Sequence, residues 1–156
     1  MIPWDYGYAT HLPLLLEYVL KTTGPVLELG AGNYSTPILH TLCEGKRLLV
    51  TIESNPEWLA KFQHLRSSHH IVTDTLTPEL AAASWDVVLV DSAPGSTRTP
   101  YIDQLCHKSQ YLILHDSEDP GYNYPTDYFK HKREWAWLTP KTIVVSHFNN
   151  VKSRDG

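Results

Sequence analysis

The stretch Val26-Leu27-Glu28-Leu29-Gly30-Ala31-Gly32-Asn33-Tyr34-Ser35-Thr36-Pro37 decides how this chain is read. A short apolar run ends in an acid and a glycine-rich turn. Ser35 or Thr36 can cap the helix that follows, and Pro37 suits its first position. Strand, glycine turn and helix together make the nucleotide-binding corner of a doubly wound α/β sheet. Two positions depart from the dinucleotide fingerprint. Ser35 stands where a third glycine would let helix and strand pack beside a pyrophosphate. Glu28 puts negative charge at the mouth of the turn, where a pyrophosphate would be repelled. A ligand with a cationic end and no phosphate fits both departures.

Outward from this corner, apolar and β-branched strand candidates recur at Val26–Leu29, Leu48–Ile52, His70–Val72, Val87–Val90, Tyr111–Leu114 and Thr142–Ser146. Thr36-Pro37, Asn55-Pro56, Thr77-Pro78 and Thr99-Pro100 each place a capping side chain before a proline suited to a first helical turn. Thr10–Lys21 reads as a further amphipathic helix, closed by Gly24 and Pro25. Trp58, Leu59, Phe62 and Leu65 share one helical face and read as core packing. Near-continuous apolar strands alternating with helices predict a mainly parallel sheet covered on both faces. The end differs: Thr126–Glu134 reads as a short helical segment, and Trp135–Leu138, Thr139-Pro140-Lys141 and Thr142–His147 as strand, turn and strand.

Glu28-Leu29-Gly30-Ala31-Gly32 resembles the first motif of the class I S-adenosylmethionine-dependent methyltransferases. Asn33-Tyr34-Ser35-Thr36 looks like the Gly-Tyr-Ser-Thr version found in the catechol O-methyltransferase-like branch. S-adenosylmethionine has a cationic sulfonium and no phosphate, as the departures at Glu28 and Ser35 require. The resemblance implies a Rossmann-like sheet of order 3-2-1-4-5-7-6, closed by a C-terminal antiparallel hairpin, with a single cofactor-binding domain over residues 1–156. It also implies cofactor contacts along the turn from Glu28 through Gly30, Gly32 and Asn33 to Ser35 and Thr36.

The strand ends carry the remaining chemistry. Glu53 ends the second strand 21 residues after Gly32, near the spacing of about 20 at which an acid meets ribose hydroxyls. Ser54 follows it. Asp74 leaves the third strand where the family places an acid beside the adenine amino group, although Asp-Thr before Thr77-Pro78 equally makes an ordinary turn. Asp91 closes Trp85-Asp86-Val87-Val88-Leu89-Val90-Asp91, which resembles the family's fourth motif, and His115-Asp116 closes the next strand. Asp91, His115 and Asp116 are the candidate catalytic residues. In the catechol O-methyltransferase-like enzymes, strand-end acids and an asparagine hold a magnesium ion. Asp91 and Asp116 match two of those places, but Ser117 stands at the third and leaves the set incomplete. His115 offers a metal-free route, a neutral imidazole that takes a hydroxyl proton; its alternative is a histidine tied to a backbone carbonyl. Tyr6, Tyr8 and His11, with Trp4, precede the first helix, and Tyr122 and Tyr124 follow His115-Asp116. Aromatics outside any periodic pattern predict a pocket for a small-molecule methyl acceptor.

Composition bounds these readings. The 156 residues suffice for one domain with a real core, and 42% hydrophobic with 19% charged content predicts a soluble, globular chain. No apolar run reaches membrane-spanning length, and the N-terminus lacks signal-peptide features, so a cytoplasmic protein is expected. The two cysteines, Cys43 and Cys106, fall in expected helices without metal-binding spacing. A net charge of −4 argues against a nucleic-acid partner, and Lys130-His131-Lys132-Arg133 reads as a solvated helix face. The expected activity is methylation of a small-molecule hydroxyl. A binding module that keeps the nucleoside pocket without transfer is the alternative, and a nicotinamide dehydrogenase is disfavoured by Glu28 and Ser35.

Overall fold

A computed structural model describes residues 6–151; Trp4 and the last five residues of the polar tail lie outside them. Five helices are α1 (Leu12–Lys21), α2 (Ser35–Cys43), α3 (Pro56–Phe62), α4 (Pro78–Ala82) and α5 (Arg98–Leu105). Seven strands are β1 (Val26–Leu29), β2 (Leu49–Ile52), β3 (His70–Thr73), β4 (Trp85–Val90), β5 (Ser109–His115), β6 (His131–Trp135) and β7 (Thr142–Ser146). They form one sheet of order β3-β2-β1-β4-β5-β7-β6. The pairs from β3 across to β5 are parallel, and β7 runs antiparallel to both β5 and β6. No helix of the described residues is long and apolar enough to cross a membrane.

Strand alternation divides the core. Leu27, Leu29, Val88 and Val90 face a layer that includes Ile102 and Leu105 of α5. Val26, Val87 and Leu89 face Leu14, Leu15 and Tyr18 of α1 and Leu39 of α2. Burial on both faces explains why these strands read as continuous apolar runs. Trp58, Leu59 and Leu65 pack against Ala31, Phe62 and Val72, as their helical spacing implies.

Two of the four expected caps form. Asn55 accepts from the N–H groups of Glu57 and Trp58, and Thr77 accepts from that of Leu80. The other two helices begin earlier: α2 has Tyr34 at its cap position and α5 has Thr97, neither with a side-chain capping bond. Thr36 and Thr99 are drawn elsewhere, to Glu28 and to the Tyr122 carbonyl. The expected helix over Thr126–Glu134 does not form. Only Thr126–Tyr128 makes a single tight turn, and β6 begins at His131, ahead of the strand expected from Trp135. His131, Arg133 and Trp135 are half-buried while Lys132 and Glu134 are exposed, so the basic run lies on an edge strand. Pairing with β7 outweighs local helical spacing here, and alternating charge suits an edge that must resist further pairing.

The glycine turn is held by close backbone contact. Gly30 sits at φ 97° and donates its N–H to the Ile52 carbonyl at 2.8 Å. A Cβ there would fall 2.4 Å from the Asp91 carbonyl oxygen. Gly45 shares a positive φ, 66°, with nothing within 4 Å of a built Cβ. Gly30→Ala should therefore lower the unfolding free energy by about 3 kcal/mol or more, since a left-handed backbone and a forced main-chain shift add together. Gly45→Ala should cost only about 1–2 kcal/mol. Urea unfolding measures both, and equal losses would show that the approach of the turn to the end of β4 contributes nothing.

Candidate functional site

A cavity of about 700 Å³ opens at the carboxyl ends of the parallel strands. Ala31, Gly32, Asn33 and Glu53 line it on one side, and Asp91, His115 and Asp116 on the other. Gly7, Tyr8 and His11, from the segment leading into α1, and Tyr122 complete the walls. Glu53 is buried. Its carboxylate accepts from the N–H of Ala31 at 3.1 Å and of Asn55 at 2.8 Å, fixing it at the end of β2 beside the turn. Trp58 donates its indole N–H to the Ala31 carbonyl and also lines the cavity, a role beyond the packing read from its spacing.

Several expected cofactor residues point elsewhere. Ser54 is exposed and bonds the Ala93 carbonyl at 3.3 Å; Asp74 is exposed and accepts from Thr75. Neither lines the cavity. Glu28 is not at the mouth of the turn. Alternation along β1 puts its side chain beneath the turn, on the α1 and α2 side, where it is fully buried. Its Oε2 accepts from Thr36 at 2.9 Å and Thr51 at 2.8 Å, and Oε1 has no partner. Burial pushes its pKa up to about 7, against the hydroxyls of Ser35, Thr51 and Thr36. Thr36 in turn accepts the Gly32 N–H at 2.9 Å, so Thr36 and Glu28 brace the turn from below. Because Thr51 spends its only proton on Glu28, it accepts from His70 Nε2 at 2.8 Å, and His70 Nδ1 meets His40 Nδ1 at 3.0 Å. Gly30, Ser35 and Thr36 likewise shape the turn without lining the cavity.

The strand-end acids are joined by a residue the sequence reading did not single out. Arg98, the first residue of α5, is 5% exposed and donates from Nη2 to Asp91 and from Nη1 to Asp116, each at 2.9 Å. Nη1 also lies within hydrogen-bond reach of the Tyr124 hydroxyl and the His115 carbonyl, Nε donates to the Ser92 carbonyl at 2.8 Å, and the guanidinium lies 4.2 Å from the Tyr122 ring. A cation of the chain's own thus occupies the place between the carboxylates that magnesium would take. Together with Ser117 at the third position, this donor set does not fit magnesium.

Two histidines share the cavity wall in different states. His115 is buried, with Nδ1 3.1 Å from Asp91 Oδ1 and Nε2 2.9 Å from the Thr10 hydroxyl. Thr10 donates to the Gly7 carbonyl, so both ring nitrogens of His115 are placed to donate. Burial alone would depress its pKa, but the bond to Asp91 and the charges of Asp91 and Asp116 hold it above the ordinary histidine value. For Asp91, burial alone would raise the pKa, but the bond to His115 and the charges of His115, His11 and Arg98 hold it below the ordinary aspartate value. His11 is equally buried, 4.8 Å from His115 between ring centroids, yet neither of its nitrogens has a partner. Burial lowers its pKa to about 4, the Asp91 charge only partly opposing this. Of the two imidazoles, His11 is the one whose pKa is lowered, while that of His115, where a neutral base was expected, is raised. Tyr6 is exposed and does not line the cavity, whereas Tyr124 acts beneath the wall through Arg98 and the His115 carbonyl.

No family model and no curated protein matches this sequence. Solved structures do resemble it. One is a methyltransferase from Geobacter sulfurreducens, 11% identical over 90% of this chain and 78% of that one, with a TM-score of 0.68. Another, from Klebsiella pneumoniae and described as an O-methyltransferase, is 11% identical over 96% and 84%, with a TM-score of 0.67. Human methyltransferase-like protein 13, in complex with SAH, is 16% identical over 93% and 82%, with a TM-score of 0.59. The chain has the class I methyltransferase fold.

In a methyltransferase fold the bracing beneath the glycine turn has a pH signature. The folded pKa of Glu28, about 7, lies above the ordinary 4.5, so the folded state binds more protons between these values. Its stabilising contribution is complete below pH 4.5 and is lost as pH rises through 7. His70 and His11, each lowered from 6.5 to about 4, act in the opposite sense over much of the same range and are present in both wild type and a Glu28 variant. Glu28→Gln should gain stability relative to wild type by about 3 kcal/mol between pH 4.5 and 8. Urea unfolding across this range checks it, and a difference that stays flat with pH would show that Glu28 titrates normally.

Proposed function

We propose that this chain transfers the methyl group of S-adenosylmethionine to a hydroxyl of a small molecule. The observation that carries the reading is a neutral imidazole without a hydrogen-bond partner, His11, in the same cavity as the glycine turn and Glu53. Glu53 keeps lone pairs to accept from a ribose diol beyond its two backbone bonds, and the cavity volume suits a nucleoside with a small acceptor. The SAH held by the human neighbour supports the same cofactor, and the O-methyltransferase description of the Klebsiella neighbour supports a hydroxyl acceptor.

When bound, the sulfonium supplies the methyl group and leaves as a neutral thioether. The acceptor oxygen forms the new C–O bond as the C–S bond breaks, and its proton passes to His11. A weak base suffices, because a methylated hydroxyl is far more acidic than an imidazolium. Asp91, whose charge faces His11, stabilises the imidazolium that forms. Positioning supplies much of the rate, with Tyr8 and Tyr122 as walls for the acceptor. A module that binds the cofactor without transfer is the second reading. The engagement of Asp91 and Asp116 by Arg98 favours it, since neither carboxylate is then free to hold a metal.

The protein should bind S-adenosylhomocysteine with micromolar affinity, about −8 kcal/mol, and ignore NAD. Glu53→Ala should weaken that binding by roughly 1.5–3 kcal/mol, the worth of hydrogen bonds to a charged group. Calorimetry that detects NAD and no S-adenosylhomocysteine would sink the reading, and cofactor binding without turnover on any hydroxyl acceptor would select the second.

Turnover should survive EDTA, because the chain's own guanidinium bridges the carboxylates. His11→Ala should lower kcat by about two to four orders of magnitude with S-adenosylhomocysteine affinity nearly unchanged. The acid limb of the kcat/KM profile should fall near pH 4, where His11 of the free protein protonates. An acid limb above pH 6.5 would return the base role to His115, and loss of activity with EDTA, restored by magnesium, would show that a metal is used after all.

A further inference from the structure

At the opposite end of β5 from the cavity, three side chains converge that the methyl-transfer reading does not use. Cys106 and His107 follow α5, and His147 follows β7, whose antiparallel course brings its end beside the start of β5. The thiol and one nitrogen of each imidazole lie within 4.8 Å of one another. None of the three lines the cavity.

We propose that Cys106, His107 and His147 form a binding site for a soft divalent cation, zinc being the reference case, independent of methyl transfer. One thiolate and two imidazoles are a donor set for zinc or cobalt and a poor one for magnesium or calcium, which take oxygen ligands. Bond lengths of about 2.0–2.3 Å around zinc put tetrahedral ligand atoms roughly 3.5 Å apart. The observed spacing is wider than that, and His107, the exposed member of the three, is the side chain with room to close it.

A second observation points to a ligand here. His147 Nε2 is buried and has no hydrogen-bond partner, an arrangement that is costly unless something satisfies it. The His147 ring stacks on Phe129 at 4.5 Å and on His107 at 4.6 Å. The Cys106 thiol makes a long contact, 3.5 Å, with the Asp103 carbonyl and also meets the Tyr128 side chain, so a metal bond would take the thiol from these two neighbours. Three protein ligands leave a fourth position on the exposed His107 side for water. Cys43, the other cysteine, is buried in α2 against the opposite face of the sheet and serves as an internal control.

The test titrates the full chain, freed of metal by a chelator, with Co²⁺ while reading thiolate-to-cobalt charge-transfer absorption, and then displaces the ion with Zn²⁺. About one equivalent should saturate the band. Cys106→Ser should abolish it, and Cys43→Ser should leave it intact. His107→Asn and His147→Gln should each weaken binding at least tenfold, the least that even losses outside the ligand shell commonly produce. Because Cys106 is buried, its variant could misfold. The exposed His107 carries the decisive variant, with circular dichroism to show that the fold is kept. Absence of a charge-transfer band would overturn the site. So would a band unmoved by both histidine variants, or one that vanishes with Cys43. Cobalt held only by His11, Asp91 and His115 gives no thiolate band and counts against the proposal.

Discussion

Two carboxylates on neighbouring strand ends, each only partly exposed, would repel each other. The guanidinium of Arg98 removes that conflict, and the geometry of the cavity follows from it. Asp91 follows β4 and Asp116 follows β5, so one side chain ties two strand ends, the start of α5 and, through Tyr124, the loop after β5. An arginine does this where a lysine would not, because its planar fork presents donors in several fixed directions and stays charged when desolvated. Asp116 is itself in the left-handed region at φ 55°, a conformation aspartate tolerates, and its carboxylate turns back to Nη1. Breaking such a buried bridge by removing one partner leaves the others uncompensated, which makes it a constraint more than a source of net stability.

The same bridge sorts the two histidines. Asp91, kept ionised, holds the proton on His115 through Nδ1, and Thr10 holds the other nitrogen. His11 sits against that already satisfied pair with no partner of its own, so burial decides its state and it remains neutral. One carboxylate, placed by one arginine, thus accompanies adjacent imidazoles whose pKa values shift in opposite directions.

The fold was largely legible because its signals are local and redundant. Continuous apolar strands, Asn55-Pro56 and Thr77-Pro78 each point to the same parallel sheet, and the strand order follows the resemblance of the glycine turn. The hairpin was misplaced because Lys130–Glu134 has charges at helical spacing, while its true partner, β7, is recognisable only once the sheet is assembled. At the site, the rule that ligands meet strand carboxyl ends located Glu53, Asp91, His115 and Asp116. It could not say which way a side chain points. Glu28 and Asp74 share the strand-end position, yet the pleat buries one below the turn and chain direction carries the other outward. Arg98 was illegible for a different reason: it enters from the first residue of a helix, where a sequence shows only a solvated start. Its one hint was position, seven residues after Asp91 and ahead of Thr99-Pro100.

Charge accounting ties the two sides of the cavity together. On the side proposed for transfer, Arg98 pairs with both Asp91 and Asp116, and Asp91 also holds the His115 pKa above its ordinary value. On the side proposed for the nucleoside, the Glu53 carboxylate accepts from two neutral backbone N–H groups. A cationic ligand would therefore be drawn towards Glu53, while on the other wall Asp91 and Asp116 are already paired with Arg98 and would not hold the sulfonium as an ion pair. That division favours turnover on the proposed reaction. Methyl transfer erases the sulfonium charge and creates one on His11, and Asp91 lies close enough to steady the second without having bound the first too tightly. Binding energy comes from the side where charge persists through the reaction, and the differential interaction comes from the side where charge moves.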